Sequence, residues 1–333
     1  MNRRQFLKGS ALAAAGIVSG ASALAQGTLT FRGPAGRNPN GGNGNGGALR
    51  RFNTTTILKG VSLGMISDGK TVEEKFQIAR DCGIQGIEVT CPTTDENLEE
   101  ILKASEKVRM PIGGIMFGGN WKENLSEPDP QKRATYIASI TKAIQQGKAL
   151  GAPHVLVVPG VVNANMDYET AWKNSQEGLR QLIHVAEENR VKIGIENVWN
   201  NFLLSPVEMA YYIDQVNSPW VGCFFDIGNI VNTGWPEHWI HTLNRRLVNL
   251  HIKGFNTKLA NDQGKWKGFN VQMQDEGDFD WKPVAQALVD VRYRGWLIAE
   301  VGGGNAERIK DISDRLEKMV TLVKNITEES GTN

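Results

Sequence analysis

Four ionisable residues of this chain stand late in short apolar runs: Glu196 in KIGIENV, Asp226 in VGCFFDIGN, His251 in LVNLHIKGF and Glu300 in GWLIAEVGG. An unpaired charge in such a run is costly to bury. Three carboxylates gathered together would also repel, and would raise one another's pKa, unless a cation stood among them. Oxygen-rich ligation with a single imidazole suits one hard or borderline divalent ion, Mn²⁺ first, with Mg²⁺, Co²⁺ or Zn²⁺ as alternatives. A lone Glu or His so placed is more often a hydrogen-bonded structural residue. Recurrence in four successive runs is what points to a metal site. Lys253, two residues past His251, shares its facing and is expected to meet the substrate or a ligand carboxylate.

The elements that must position these residues alternate along the chain. Strands are expected at Gly60–Ile66, Gly86–Thr90, Pro111–Gly118, His154–Gly160, Lys192–Val198, Val221–Asn229, Leu247–Phe255 and Gly295–Gly303. They are short and rich in Val and Ile, as strands buried on both faces should be. Amphipathic helical segments lie between them. TVEEKFQIARDCG sets Val72, Phe76 and Ala79 on one face and stops at Gly83, while Ser205 before Pro206 reads as a helix cap. Eight such units predict an α/β fold, a single (β/α)₈ TIM barrel, whose chemistry belongs at the C-terminal ends of the strands. An open doubly wound sheet is the other option, but no G-x-G-x-x-G turn follows the first strand.

Composition narrows the function classes. Lys and Arg number 37 against 36 Asp and Glu, which argues against nucleic acid as a partner. Cys82, Cys91 and Cys223 are too few and scattered for a disulfide framework or zinc ribbon and are expected near the core. The N-terminus reads MNRRQFLKGSALAAAGIVSGASALAQ: Arg3 and Arg4, a weakly apolar run, then ALA before Gln26. This resembles a bacterial twin-arginine signal, so residues 1–25 are expected to direct export by the Tat machinery to the periplasm or beyond. The run is too weakly apolar for a stable membrane anchor. Residues 26–55, rich in Gly and Asn, read as a flexible linker, and the barrel is expected over 56–333.

The segments GIEN, FDIGN, LHIKGF, DEGDFDW and LIAEVGGG carry a resemblance, from about Gly60 to Val323, to the xylose-isomerase-like barrel superfamily of sugar isomerases and epimerases. The resemblance implies one divalent metal ion on Glu196, Asp226, His251 and Glu300. It also implies a keto-sugar substrate and proton transfer through an enediolate, with Glu196 and Glu300 as the catalytic carboxylates on opposite faces of the sugar carbon. Epimerisation, aldose–ketose isomerisation, and elimination from keto-glycosides or inososes all remain open. DIGN is most similar to the L-ribulose-5-phosphate epimerase branch, although export favours free or oxidised sugars over sugar phosphates.

Asn229 stands where free-ketose epimerases tend to carry a histidine, and is a candidate substrate contact. Glu88, at the end of the second strand, either bonds a substrate hydroxyl or serves the structure. Trp199 is a candidate ring-stacking residue, as are Phe117, Trp121, Asn200, Trp235 and Phe255 nearby in the mouth loops, and Glu276 lies in a stretch the family often uses to close its site. His154 begins its strand, at the wrong end of a barrel for catalysis. Endonuclease IV shares the superfamily but would need extra histidines after the third and fourth strands, which here read IMFG and VVPG. A non-catalytic sugar-binding barrel is the rival from another class, and homo-oligomerisation is left open.

Overall fold

Eight short parallel strands close on themselves because each is apolar on both sides: one set of side chains packs against helices, the other fills the interior. The computed structural model describes residues 57–92, 94–117, 124–270, 273 and 277–330. The expected signal peptide and linker, together with Trp121 and Glu276, lie outside the described residues. The strands are β1 (Ile57–Ser62), β2 (Gly86–Thr90), β3 (Ile112–Met116), β4 (His154–Val157), β5 (Lys192–Glu196), β6 (Val221–Asp226), β7 (Leu247–Ile252) and β8 (Gly295–Ala299). They pair in sequence order, and β8 returns to β1 to complete the barrel. The principal helices are α1 (Val72–Asp81), α2 (Asp95–Val108), α3 (Pro130–Leu150), α4 (Tyr168–Asn189), α5 (Pro206–Val216), α6 (Pro236–Leu243), α7 (Trp281–Asp290) and α8 (Ala306–Glu329). A further segment between β7 and α7 forms a helix at Thr257–Gln263 and a 3₁₀ turn at Lys265–Asn270.

Local chemistry fixes the helix starts. Thr71 and Ser205 each accept from the third helical N–H while Glu74 and Glu208 reach back to the cap, a reciprocal arrangement that satisfies two free donors. Pro206 fills the first turn of α5, as the Ser-Pro pair predicted. Gly83 follows α1 at a φ of +84°, a backbone region that favours glycine. Cys82 and Cys223 are buried, Cys91 is partly so, and all are free thiols.

The first strand departs from expectation. It runs Ile57–Ser62 rather than Gly60–Ile66, and Leu63–Met65 continues as a 3₁₀ turn. Lys59 masks the strand in the sequence, because its ammonium crosses outward to Ser313 and Glu317 on α8 at 3.2 and 2.7 Å. Six other strands end earlier than their apolar runs. Val158, Val198 and Phe255 keep the runs apolar because they pack in the mouth loops.

Candidate active site

Strand alternation sets the site. In β5, Ile193 and Ile195 are fully buried in the hydrophobic core, while Gly194 and Glu196 share the opposite face. Register then brings the others level: Asp226 of β6 lies opposite His251 of β7, and His251 lies opposite Ile298 of β8. Glu300 is one residue past β8, yet its N–H still bonds the Ile252 carbonyl at 3.0 Å, so it continues the ladder. Four consecutive strands thus send Glu196, Asp226, His251 and Glu300 to one spot, with one ligating atom from each lying within 4.8 Å of the others.

The geometry at His251 tests whether these residues suit an ion. Its Nδ1 is fully buried and makes no hydrogen bond. It faces Glu196 Oε1 at 3.7 Å, Glu300 Oε2 at 3.7 Å and Asp226 Oδ2 at 4.0 Å. Those gaps are too long for hydrogen bonds. They are what two atoms bound to one ion at about 2.0–2.2 Å would show. Three carboxylates and an imidazole are an appropriate donor set for a hard or borderline divalent cation. The residues present therefore fit such an ion.

The other face of the imidazole is fixed by Glu88. Nε2 lies 3.1 Å from both Glu88 oxygens, and both residues are wholly buried. Glu88, for which the sequence left a substrate contact and a structural role open, is buried here with its carboxylate against the histidine. Such a carboxylate sets the tautomer that leaves Nδ1 as the free donor to an ion. Phe224 packs edge-on beneath the ring at 4.5 Å. A second clamp holds Asp226. Asn197 donates Nδ2–H to the Asp226 carbonyl and accepts the Asp226 N–H at Oδ1, both at 2.8 Å, while Asp226 Oδ1 accepts from the Asn229 N–H at 3.0 Å.

Lys253 completes the cluster. Its ammonium stands 2.7 Å from Asp226 Oδ2 and 2.6 Å from Glu300 Oε2. Its facing left a substrate or a ligand carboxylate as its partner, and here it meets two carboxylates of the cluster. Gly228 makes room for the lysine, since a Cβ there would come within 2.4 Å of Lys253 Cγ and 2.8 Å of its carbonyl oxygen. Electrostatics follow from burial and neighbours. Burial lowers the Lys253 ammonium, but Asp226 and Glu300 outweigh it and raise the group. Burial also pushes Asp226 up, to about 7, against the pull of Lys253. Burial likewise raises Glu196. In partly exposed Glu300, burial is overcome by His251 and Lys253, which bring the carboxyl down to about 2. Burial disfavours the charged His251 ring, but Glu88 and Glu300 raise it well above the ordinary value.

Above the cluster opens a cavity of about 310 Å³. Glu196, Lys253 and Glu300 line it, with Asn229, Trp199, Met116, Phe117, Leu156, Val158 and Val198 around them. Trp266 and Phe269, from the segment between β7 and α7, complete the wall, and nothing in the sequence reading singled them out. Trp199 lies where expected, its Nε1–H bonded to the Asn229 carbonyl at 2.8 Å. Asn229 reaches the cavity, but its amide donates to the Asn197 carbonyl at 2.8 Å. Phe255 is fully buried behind the wall, and Asn200 is buried with its amide bonded to the Gly160 carbonyl. Trp235 is exposed and packs on His238 instead. His154 is buried inside the barrel against Phe224, apart from the acidic cluster.

A parallel eight-stranded barrel carrying an acid–imidazole cluster at the C-terminal ends of β5 to β8 defines the class. Within it, residues 76–321 match the xylose isomerase-like TIM barrel, and the chain belongs to that family. The inosose dehydratase of Clostridium perfringens is 27% identical over 49% of this chain and 56% of that protein, so the chain spans about half the length of these dehydratase relatives. The D-psicose 3-epimerase of Enterocloster bolteae is 28% identical over 66% of this chain and 72% of its own length. Among solved structures, the 3-keto-D-glucoside 4-epimerase of E. coli superposes with a TM-score of 0.65 over 80% of this chain and all of the other, at 15% identity, which shows a shared fold.

Proposed function

We propose that this protein is a divalent-metal-dependent isomerase or epimerase of a keto-sugar, acting by proton transfer at the carbon next to a carbonyl. The observation that carries the reading is the convergence of Glu196, Asp226, His251 and Glu300 within 4.8 Å at the base of an aromatic-walled cavity. An ion held by these four residues would supply Lewis-acid polarisation of the ketone oxygen. Asp226 and His251 are fully buried, whereas Glu196 and Glu300 also line the cavity. Those two carboxylates are therefore the groups that take and return the proton. They come from the outer strands of the four-strand arc, and so approach a bound carbon from two sides. Lys253, held charged between Asp226 and Glu300, is an electrostatic partner for negative charge developing on substrate oxygen rather than a base.

The match to inosose dehydratases favours a second reading that shares this first step. There the proton leaves the carbon beside the ketone, hydroxide departs from the next carbon, and the products are an enone and water. The N-terminal arginine pair supports export by the twin-arginine pathway, and an exported enzyme would meet extracytoplasmic free or oxidised sugars.

The test is solvent exchange. Metal-supplemented wild type in D₂O is expected to place deuterium beside the carbonyl of a keto-sugar, read by NMR. Glu196→Gln and Glu300→Gln are each expected to slow this by about 10²-fold to 10⁴-fold. A product that differs from the substrate only by the deuterium gained identifies isomerisation or epimerisation, and loss of water identifies the dehydratase. Undiminished exchange in both variants would remove the two carboxylates from the mechanism.

A further inference from the structure

The wall raised by the segment between β7 and α7 has chemistry that proton transfer does not use. Trp266 is 56% exposed although it lines the cavity. It is nonetheless anchored, with its ring centroid 4.9 Å from Trp199 and 6.3 Å from Phe269, and with the Lys265 ammonium 5.4 Å from its centroid. Buried Phe255 backs both partners, at 5.5 Å from Trp199 and 4.9 Å from Phe269. A large apolar ring left open to water, yet held by packed neighbours, is a preorganised contact surface.

Apart from the indole N–H groups, the polar side chains on the described lining are Glu196, Lys253, Glu300 and Asn229. Glu196, Lys253 and Glu300 belong to the acidic cluster, and the Asn229 amide is committed to Asn197. The lining also includes the apolar Met116, Phe117, Leu156 and Val158. A free ketose carries hydroxyls on almost every carbon, and those lifted above the acidic floor would lose water without gaining partners among these residues. The C–H face of a second ring suits the same surface, because it is apolar and flat against an aromatic plane. The volume of about 310 Å³ falls within the usual range of small-molecule sites, roughly 300–1,000 Å³.

We infer that Trp199, Trp266 and Phe269 form an outer subsite that stacks a ring joined to the reacting keto-sugar, so that the substrate class is a keto-glycoside rather than a free ketose. The assignment of the reacting end rests on the proton-transfer reading, whereas the stacking does not.

Two measurements keep these apart. The first is binding without turnover: p-nitrophenyl β-D-glucopyranoside, cellobiose and D-glucose are titrated into the purified protein by calorimetry. Both two-ring probes are expected to bind at least about tenfold more tightly than D-glucose. Trp266→Ala is expected to abolish that preference and Trp266→Phe, which keeps a ring, to retain most of it, with circular dichroism verifying that each variant is folded. Equal binding of all three probes, or a preference untouched by Trp266→Ala in a folded variant, would overturn the subsite. The second is deuterium exchange with the 3-keto derivatives of methyl glucoside and of cellobiose. Trp266→Ala is expected to raise KM for the two-ring substrate by about tenfold more than it raises KM for the methyl glycoside. Exchange with free ketoses but no preference for two-ring probes would remove the subsite and leave proton transfer standing. A two-ring preference lost in Trp266→Ala, with no exchange on any keto-sugar, would support the subsite and remove the proton-transfer reading.

Discussion

Glu88 illustrates how a residue can matter to the proposed metal site without lining it. Its two oxygens lie 3.1 Å from His251 Nε2, and neither residue meets solvent. An imidazole bound on one side to a carboxylate is oriented and made a better donor on the other. Glu88→Gln keeps the shape and removes the charge. It is expected to weaken Mn²⁺ binding by about 10-fold to 100-fold, measured by titration into chelator-treated protein. Asp226→Ala, which deletes one of the proposed ligands outright, is expected to lose more. Wild-type affinity in Glu88→Gln would show that Glu88 only fills space. The sequence placed Glu88 at a strand end but offered no way to tell a substrate contact from a support for His251. That distinction depends on which side of the barrel faces Glu88, a matter of register rather than of residue type.

At the scale of elements, the strands were legible because burial on both faces leaves long Val- and Ile-rich runs, and the four converging side chains because each charge interrupts such a run near its end. The strand ends were less legible, since Val158, Val198 and Phe255 prolong the runs while packing in loops. The aromatic wall was not legible at all: Lys265–Asn270 is a short turn without periodicity, and only the fold turns Trp266 toward Trp199. His154, which opens β4, was read from its position as structural, and its burial carries a consequence for stability. Burial, aided by His251 and Lys192, lowers its pKa to about 3. In the unfolded chain it would titrate near 6.5. The unfolded state therefore binds a proton that the folded state refuses once pH drops below about 6.5. Stability is expected to fall by about 1.4 kcal/mol per pH unit from this group, down to about pH 3. His154→Leu should flatten the urea-derived stability curve between pH 6 and 4 by close to one proton. Parallel curves for wild type and variant would refute the assignment.

Across the whole molecule, the barrel brings together groups that oppose one another. Glu196, Asp226 and Glu300 converge where two are buried and the third is partly so, with Lys253 and His251 as the available positive partners. Half of the strands contribute, so any ligand that relieves the repulsion ties β5, β6, β7 and β8 together at their ends. A cation that binds the folded barrel and not the unfolded chain must stabilise it by mass action. At a free concentration 100 times its Kd the gain is about 2.7 kcal/mol. For a domain larger than about 250 residues each kcal/mol moves the midpoint by about 2 °C, which gives an expected rise of roughly 5 °C. The measurement is scanning calorimetry of chelator-treated protein, alone and with Mn²⁺, Mg²⁺, Co²⁺ or Zn²⁺ at saturating concentration. Asp226→Asn and His251→Ala should show little of the rise. They need not melt below the chelated wild type by the same margin, because each also removes a buried polar group. A wild-type midpoint unmoved by all four ions would mean that Lys253 already satisfies the carboxylates and that the cluster is a salt-bridged brace for the barrel mouth. A rise that both variants retain would place the ion elsewhere on the molecule. Only a rise that follows the four converging residues fits an ion held at the mouth of the barrel.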